Sequence, residues 1–225
     1  MKITVKIGGH VFPSRLDLKK ISAYAEMFKR LRSDGHRLTV VTGGGEEARK
    51  YINAARKLGG SELVCDLIGI QVSRLNARLL ISRLGGDAYP EPPTSVDELR
   101  KAFETGKIVV LGGLQPGQST NAVAAVSAES VNADLLINAT DVDGVYTADP
   151  EKDPNAKKLD EIGADELLKK ILRKELWAGS YELFDPVAIK IVKRSRILTR
   201  IIDGRKVGNI ERLIKGEKLG TLILV

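Results

Sequence analysis

The stretch "LTVVTGGGEEARKY", from Leu38 to Tyr51, joins a short apolar run to a predicted helix through three consecutive glycines. The apolar run is short and ends in a glycine cluster, as expected for a buried parallel strand. Glycine has no Cβ, so the backbone of residues 43–45 is able to approach a bound anion and offer it amide N–H groups. No Lys-Ser or Lys-Thr follows, so this is not a P-loop, and the positive charge for a phosphate must come from elsewhere.

The same order of strand, loop and helix repeats along the whole chain. This alternation predicts βαβ units and an α/β fold, a three-layer αβα sandwich with a mostly parallel central sheet. A polar, turn-rich segment over 141–155 is the one plausible seam, and we expect a single continuous domain over residues 1–225. Strands are predicted to begin near residues 2, 36, 107, 134, 198 and 221, and helices near residues 17, 46, 61, 95, 121, 164, 186 and 209.

Composition places the chain among ordinary globular proteins. Its 225 residues are 43% hydrophobic and 29% charged, which is enough to bury a sizeable core. The single cysteine, Cys65, excludes an internal disulfide and is typical of a reducing compartment. No apolar run approaches the ~20 residues of a membrane span, and the first residues do not resemble a signal peptide, so we expect a cytoplasmic location without membrane contact.

The formal net charge of +7 favours anionic partners. Phosphorylated metabolites and nucleic acids both fit that charge. The basic residues are scattered through predicted helices, and aromatic residues make up only 4% of the chain, too few for base-stacking platforms. We therefore expect no nucleic-acid partner, although a basic nucleic-acid binder is an open alternative. Solvated helix faces of a heat-stable protein would explain the charge equally well.

Several familiar chemistries lack their motifs. A GxGxxG pattern is absent, which disfavours nicotinamide cofactors, and no G-x-S-x-G elbow suggests a serine hydrolase. His10 and His36 have no metal-ligand spacing to Cys65 or to each other, so the sequence predicts no metal held by the protein itself.

Three glycine-containing loops follow predicted strands. They are Gly8-Gly9, residues 43–45, and Gly112-Gly113 with Pro116-Gly117. Ligands of parallel sheets bind beyond the carboxyl ends of the strands, where loops enter helices. Each glycine could instead serve only a tight turn, but three such loops together favour phosphate binding.

Three cations are placed to serve these loops. Lys6 lies two residues before Gly8 and interrupts an otherwise apolar strand. Arg49 lies one helical turn beyond Gly45, and Lys190 lies about one turn into the helix that begins at Pro186. A solvated surface position is the alternative for each of these side chains.

Polar residues near the third loop have two readings. Hydroxyls at Ser119 and Thr120 either cap a helix or bind an oxyanion. Asp66, within a predicted helix, is either a solvated carboxylate or an acceptor for ribose hydroxyls.

These loops, in this order, resemble those of the amino acid kinase family, and within it the archaeal type of UMP kinase. "DVDGVYTADP" marks the family broadly, whereas "QPGQST", Asp66 and "ELFDPVAIKIV" narrow the resemblance. The matching stretches lie at residues 6–9, 41–52, 66–77, 112–125, 140–150 and 178–195.

The resemblance implies an αβα sandwich with an acceptor-binding half at about 1–135 and an ATP-binding half at about 136–225. It implies two catalytic lysines, Lys6 and Lys190. It implies ATP binding by Gly8, Gly9, Gly45, Arg49, Thr140, Asp141, Tyr146 and Asp149. It implies UMP binding by Gly44, Asp66, Leu114, Gln115, Pro116, Gly117, Gln118, Ser119 and Thr120.

The implied reaction transfers the γ-phosphoryl group of ATP to UMP, with Mg²⁺ carried by the nucleotide. The resemblance also implies a homo-oligomer, a hexamer. Two residues depart from the family pattern. Asn121 stands where many relatives carry a lysine-orienting aspartate, a role that Asp141 or Asp143 could share, and His10 stands where small hydroxyl residues are common.

Other readings of the same motifs stay open. One is a family member that acts on isopentenyl phosphate, carbamate or an amino-acid carboxylate. Another is a protein that binds nucleotides or oxyanions on this fold without turnover, although the presence of both lysines argues against it.

Overall fold

A computed structural model describes residues 1–148, 153–172 and 184–225. Nine strands lie in these ranges: β1 (Lys2–Ile7), β2 (Arg37–Thr42), β3 (Val109–Leu111), β4 (Leu135–Thr140), β5 (Val145–Tyr146), β6 (Lys158–Leu159), β7 (Glu161–Gly163), β8 (Thr199–Asp203) and β9 (Thr221–Leu224). The α-helices of the same ranges are α1 (Leu18–Ser33), α2 (Gly45–Lys57), α3 (Glu62–Leu84), α4 (Val96–Glu104), α5 (Thr120–Ser130), α6 (Ala164–Leu172), α7 (Pro186–Ser195) and α8 (Gly208–Ile214).

Seven of the described strands form one sheet in the order β3-β2-β1-β4-β8-β9-β7. The first five strands are mutually parallel, β9 runs antiparallel to β8, and β7 is parallel to β9. The predicted α/β architecture with a mostly parallel sheet is confirmed. The strand predicted near residue 221 is present as β9, but its antiparallel direction was not predicted. The short β7 and the separate β5–β6 pair were not predicted either, because two- and three-residue strands carry too little periodicity to recognise.

Side-chain caps begin most of the predicted helices. Asp17, Ser61 and Ser95 each accept a hydrogen bond from a backbone N–H in the first turn of α1, α3 and α4. The Ser95 hydroxyl accepts from the backbone N–H of Glu98 at 3.2 Å, and the Glu98 carboxylate accepts from the backbone N–H of Thr94, the residue before the cap, at 2.7 Å. These local contacts explain why helix starts were predicted accurately.

Apolar side chains fill both sides of the sheet. Ile3, Val5 and Ile7 of β1 belong to the core shared with α1 and α3, whereas Val41 and Leu136 belong to the core shared with α5 and α7. Successive strand residues point to opposite faces. The side chain at position 6 therefore lies on the α5 side, next to the carboxyl end of β1.

None of the helices in the described ranges combines the length and the apolar character that a bilayer span requires.

Candidate active site

Two adjacent cavities open at the carboxyl ends of the central strands. The larger cavity, about 430 Å³, lies between the loops after β1, β2 and β3 and the starts of α2, α5 and α7. It is lined by Lys6, Gly9, Gly43, Gly44, Gly45, Ala48, Arg49, Ile52, Gly69, Ser73, Gly113, Gln118, Ser119, Thr120, Asn121 and Asp185.

The smaller cavity, about 190 Å³, lies on the β4 side of the same edge. Lys6, Gly9 and Arg49 line both cavities and so form the wall between them. The smaller cavity is lined by Lys6, Gly8, Gly9, His10, Glu46, Arg49, Thr140 and Asp141.

Lys6 lies where the two cavities meet. It is only 7% exposed, in the register position between Val41 of β2 and Asn138 of β4. Burial of an ammonium group is costly unless charged or polar groups compensate it. Because it lies at the carboxyl edge of the parallel sheet, where both cavities open, Lys6 is suited to meet an anionic ligand.

The loops after β1 and β2 touch backbone to backbone. A Cβ added at Gly9 would lie 2.9 Å from the Cα of Gly45. Gly45 has φ +66°, and its own Cβ would lie 2.4 Å from the carbonyl oxygen of Phe12. Glycine is required at both positions, so the two loops form one continuous cradle of main-chain groups.

Helix α3 holds the glycine loops through its polar side chains. The Ser73 hydroxyl accepts from the N–H of Gly113 at 2.7 Å, and Asn76 Nδ2 donates to the carbonyl of Gly43 at 2.8 Å and to that of Gly44 at 3.3 Å. Ser73 and Asn76 are 4% and 6% exposed. Sequence reasoning missed both, although two polar residues three positions apart on an otherwise apolar helix face were a usable signal.

A third missed residue is Asp185, which connects two helix starts. One of its oxygens accepts from the N–H groups of Val187 and Ala188 and so caps α7. Its other oxygen accepts a hydrogen bond from the hydroxyl of Ser119, which itself caps α5 by accepting from the N–H of Ala122. Ser119 was predicted either to cap a helix or to face a ligand. Here it does the first, and it also lines the larger cavity.

The predicted UMP loop divides into two parts. Gln118, Ser119 and Thr120 line the larger cavity, together with the predicted Gly44. Residues 114–117 do not line it, but two contacts to α3 hold them. The Asp66 carboxylate accepts from the N–H of Gly117 at 2.8 Å, and the Arg74 guanidinium donates to the carbonyl of Leu114 at 3.1 Å. Asp66 is itself exposed beside this loop.

The predicted ATP-binding residues are distributed over both cavities. Gly8, Gly9, Arg49, Thr140 and Asp141 line the smaller cavity, whereas Gly45 lines the larger one. Asp149 lies outside the described residues.

Two side chains after β4 form local pairs. The Thr140 hydroxyl donates to the Asp141 carboxylate at 3.1 Å. The Tyr146 hydroxyl donates to the carboxylate of Asp143 at 2.9 Å, and this hydrogen bond raises the pKa of the phenol. Tyr146 is partly buried and does not line either cavity.

Lys190 does not meet the other predicted site residues inside a cavity. It is exposed on α7, and neither cavity in the described part of the chain has it as a lining residue. Its helix nevertheless begins at Asp185, which lines the larger cavity.

Asn121 replaces the aspartate of many relatives in the first turn of α5. It is 6% exposed and lines the larger cavity. Of the two carboxylates considered for the orienting role, Asp141 lines the smaller cavity and Asp143 is paired with Tyr146.

Within the described ranges, no three His, Cys, Asp or Glu side chains converge on a point that would hold a metal ion.

Comparisons with protein families, with known sequences and with solved structures agree with one another and cover nearly the whole chain. The model of the amino acid kinase family matches residues 1–203. A uridylate kinase of Hyperthermus butylicus is 50% identical over 98% of this chain and 97% of that protein, and one of Methanococcoides burtonii is 48% identical over 98% and 94%. The crystal structure of the uridylate kinase of Archaeoglobus fulgidus is similar with a TM-score of 0.89 and 40% identity, over 99% of this chain and 100% of that one.

Proposed function

This chain belongs to the amino acid kinase family, and from that premise we propose that it transfers the γ-phosphoryl group of ATP to UMP, giving UDP and ADP. Relatives named uridylate kinase match nearly its full length at about half identity. The observation that carries the proposal is the position of Lys6, a buried cation in the wall shared by two cavities. Such a pair of cavities suits two anionic substrates that react with each other.

UMP occupies the larger cavity in this proposal, and ATP reaches the smaller one. Gly44, Gln118, Ser119 and Thr120 contact the acceptor. The Asp66 carboxylate accepts hydrogen bonds from the ribose hydroxyls of UMP in this proposal. It lies beside the same loop, because it already accepts from the backbone N–H of Gly117. The residues assigned to ATP are Gly8, Gly9, Gly45, Arg49, Thr140, Asp141, Tyr146 and Asp149.

Phosphoryl transfer requires alignment and charge stabilisation more than covalent help. A phosphate oxygen of UMP is already ionised near neutral pH and serves as the nucleophile, so no strong general base is needed. The two nucleotides repel each other, and the Lys6 ammonium offsets this repulsion where they meet. Main-chain N–H groups of the glycine loops add fixed dipoles that need no rearrangement during the reaction.

Lys190 is proposed as the second catalytic lysine. It lies five residues after Asp185, or about 7.5 Å along the α7 axis, and its side chain is exposed. In this proposal, the side chain turns toward the larger cavity when substrates bind. The Ser119–Asp185 hydrogen bond ties the start of this helix to the acceptor loop.

Mg²⁺ is the proposed metal and would arrive with ATP; when bound, it would supply positive charge that offsets the negative charge of the transferring phosphoryl group. In this proposal, the residues assigned to ATP would bind and orient the nucleotide that carries the ion.

We also propose that the protein is a homo-oligomer, a hexamer, that uses the outer face of α3. Between Glu62 and Leu75, this helix has apolar residues on two sides. Cys65 and Ile70 are buried in the core, whereas Leu67 and Leu75 are 45% and 59% exposed. Tyr51 of α2 extends this patch, which also includes Val64, Ile68 and Val72. An exposed apolar patch of this kind is typical of a protein interface, and a second copy of the chain is the occupant we propose.

Sedimentation of Leu67→Lys tests the oligomer. The wild type should sediment as several copies of the 24.5 kDa chain, and the variant as a smaller species. Leu58→Lys is the control, because Leu58 is 87% exposed but lies outside the patch. A wild type that sediments as a monomer would contradict the proposal.

A place in pyrimidine nucleotide biosynthesis and a cytoplasmic location follow from the proposed substrates. The reduced, buried thiol of Cys65 is compatible with that compartment.

A coupled assay of ADP release tests the activity. We expect turnover with UMP to exceed turnover with CMP, dUMP and isopentenyl phosphate under identical conditions. Turnover with isopentenyl phosphate and none with UMP would assign a different acceptor, and nucleotide binding without turnover would indicate a storage or binding protein. Retention of RNA that weakens steeply with salt, without turnover, would favour nucleic-acid binding.

A further inference from the structure

His10 is a half-buried titratable group in the wall of the smaller cavity that phosphoryl transfer, as proposed above, does not use. It follows β1 in a short 3₁₀ turn, Gly9–Val11. Its imidazole lies in a slot kept open by two glycines. A Cβ at Gly8 would lie 2.9 Å from Nδ1, and one at Gly204 would lie 3.1 Å from Cε1. The backbone thus holds the ring at the cavity wall.

One ring nitrogen is left without a protein partner. The Nε2 atom of His10 is buried and has no hydrogen-bond partner among the described residues. Buried polar atoms are normally hydrogen-bonded, and the exceptions call for an explanation such as a ligand. The cavity that His10 lines also contains Lys6 and Arg49, so an anion bound there would face the imidazole.

The surroundings of the ring are charged on several sides. Burial lowers the pKa of His10, and the Lys20 ammonium lowers it further. The carbonyl of Gly204 acts in the opposite direction, Lys6 adds to the lowering, and Asp141 raises the pKa. The charged and polar groups that act on the ring are Lys6 from β1, Lys20 from α1, Asp141 after β4 and the Gly204 carbonyl after β8. Glu46 and Arg49 of α2 line the same cavity, and the Tyr24 hydroxyl of α1 donates to the Gly204 carbonyl.

We propose that binding of ATP draws a proton onto His10, so that the imidazole becomes an additional cationic contact to the bound triphosphate. The inference rests on the proposed function, because it places the triphosphate in the smaller cavity. In the free protein, partial burial and two lysines hold the pKa of the ring below its ordinary value. A bound polyanion reverses that balance, since an opposite charge within ~4–6 Å favours the charged form by about 1–3 pKa units.

The sign of the pH dependence follows from linkage. If the pKa of His10 is higher in the complex than in the free protein, binding of ATP takes up protons in the pH range between the two values. Affinity is then greatest below the free pKa and falls as pH rises toward the bound pKa. Each unit of difference corresponds to about a tenfold change in affinity.

Magnetic resonance of the imidazole groups gives the direct test. The chain has only two histidines, so two sets of ring signals are expected, and His36→Gln assigns them. His36 precedes β2 at the amino end of the sheet, about 20 Å from the site by strand length. We expect the pKa of His10 to rise by at least one unit on addition of MgATP without UMP, and that of His36 to stay unchanged.

Calorimetry of MgATP binding in buffers of different ionisation enthalpy gives a second readout. The wild type and His36→Gln should take up protons on binding near pH 6.5, whereas His10→Gln should take up fewer. Subtraction of the His10→Gln result removes protons that belong to ATP itself. From about pH 8 to pH 5.5, the wild type should gain about tenfold more affinity than His10→Gln.

The outcomes separate the two proposals. If MgATP binds and the pKa of His10 does not rise, the inference is wrong and the proposed function is untouched. If MgATP produces neither heat nor a shift of any signal, the proposed function fails and the inference with it. The magnetic resonance result on the wild type decides the matter even if His10→Gln does not fold.

Discussion

The two cavities share a wall but are built in different ways. The larger cavity is bounded mainly by small residues and main-chain groups, held in place by buried hydrogen bonds from Ser73 and Asn76 of α3. The smaller cavity is bounded by charged and titratable side chains, among them His10, Glu46 and Asp141. Lys6 serves both.

This difference separates recognition by shape from recognition by charge. A cradle of fixed amides and glycines accepts a ligand only where its outline fits, because the main chain is unable to adjust without breaking buried hydrogen bonds. A cavity of flexible charged groups responds instead to the total charge of its ligand, to salt and to pH. Substitutions on the two sides should therefore change different kinetic constants.

The largest effect is expected at the shared wall. Lys6→Ala should lower kcat by about 10²–10³-fold, as removal of a group that stabilises transition-state charge typically does, with a modest change in the KM for UMP. Steady-state kinetics with both substrates measures this. Lys2→Ala is the matched control, because Lys2 lies on the same strand at its amino end. Unchanged turnover in Lys6→Ala would mean that Lys6 does not stabilise the transferring phosphoryl group.

Lys190→Ala tests whether an exposed lysine on α7 acts across the same wall. We expect kcat to fall by ~10²-fold, with the UMP affinity little changed. Lys193→Ala is the control on the same helix, where the ammonium pairs with Asp165 at 2.6 Å on the surface. If Lys190→Ala keeps the normal turnover, as Lys193→Ala should, Lys190 is not a second catalytic lysine.

Asn76→Ala probes the larger cavity alone. Loss of the amide leaves the carbonyls of Gly43 and Gly44 without these hydrogen bonds, at a cost of about 1–3 kcal/mol. We expect the KM for UMP to rise about tenfold or more and the KM for ATP to change less. Asn53→Ala, on the exposed part of α2, controls for loss of an asparagine. Equal rises in both KM values would mean that the cavities are not independent.

Thr140→Val gives the smallest expected effect and belongs to the smaller cavity. The change removes the hydroxyl that donates to Asp141 and preserves the shape of the side chain. We expect the KM for ATP to rise about threefold to tenfold, with the KM for UMP constant. Thr147→Val is the control, because it also removes a hydroxyl, one that accepts from the N–H of Lys157, at a residue that lines neither cavity. A larger change in the KM for UMP than for ATP would reverse the assignment of the two cavities.

The fold was accessible from sequence to a large extent. Strand ends marked by Gly8, Gly43 and Gly112 predicted the site edge, and the described part of every predicted helix is present. The direction of β9 was not accessible, because its pairing with β8 depends on how the chain returns to the sheet after α8. The β-propensity of the strand residues does not specify the direction in which the strand enters the sheet.

The residues of the site could be predicted from the sequence only in part. Lys6 interrupts an apolar strand, and that anomaly was enough to single it out. Ser73, Asn76 and Asp185 were missed, because each acts through a partner at least 30 positions away in the chain. A capping residue and a ligand-facing residue look the same in sequence, as Ser119 illustrates by doing both.

The sequence by itself determined the succession of strands and helices, the glycine loops at the strand ends and the cation at position 6, because these depend on short-range patterns of polarity and backbone freedom. Only the tertiary structure decided that Lys6 separates two cavities, that α3 holds two glycine loops, and that Ser119 meets Asp185 across 66 positions. Hydrogen bonds between distant segments form only after the sheet has brought their strand ends together. No local pattern encodes that proximity.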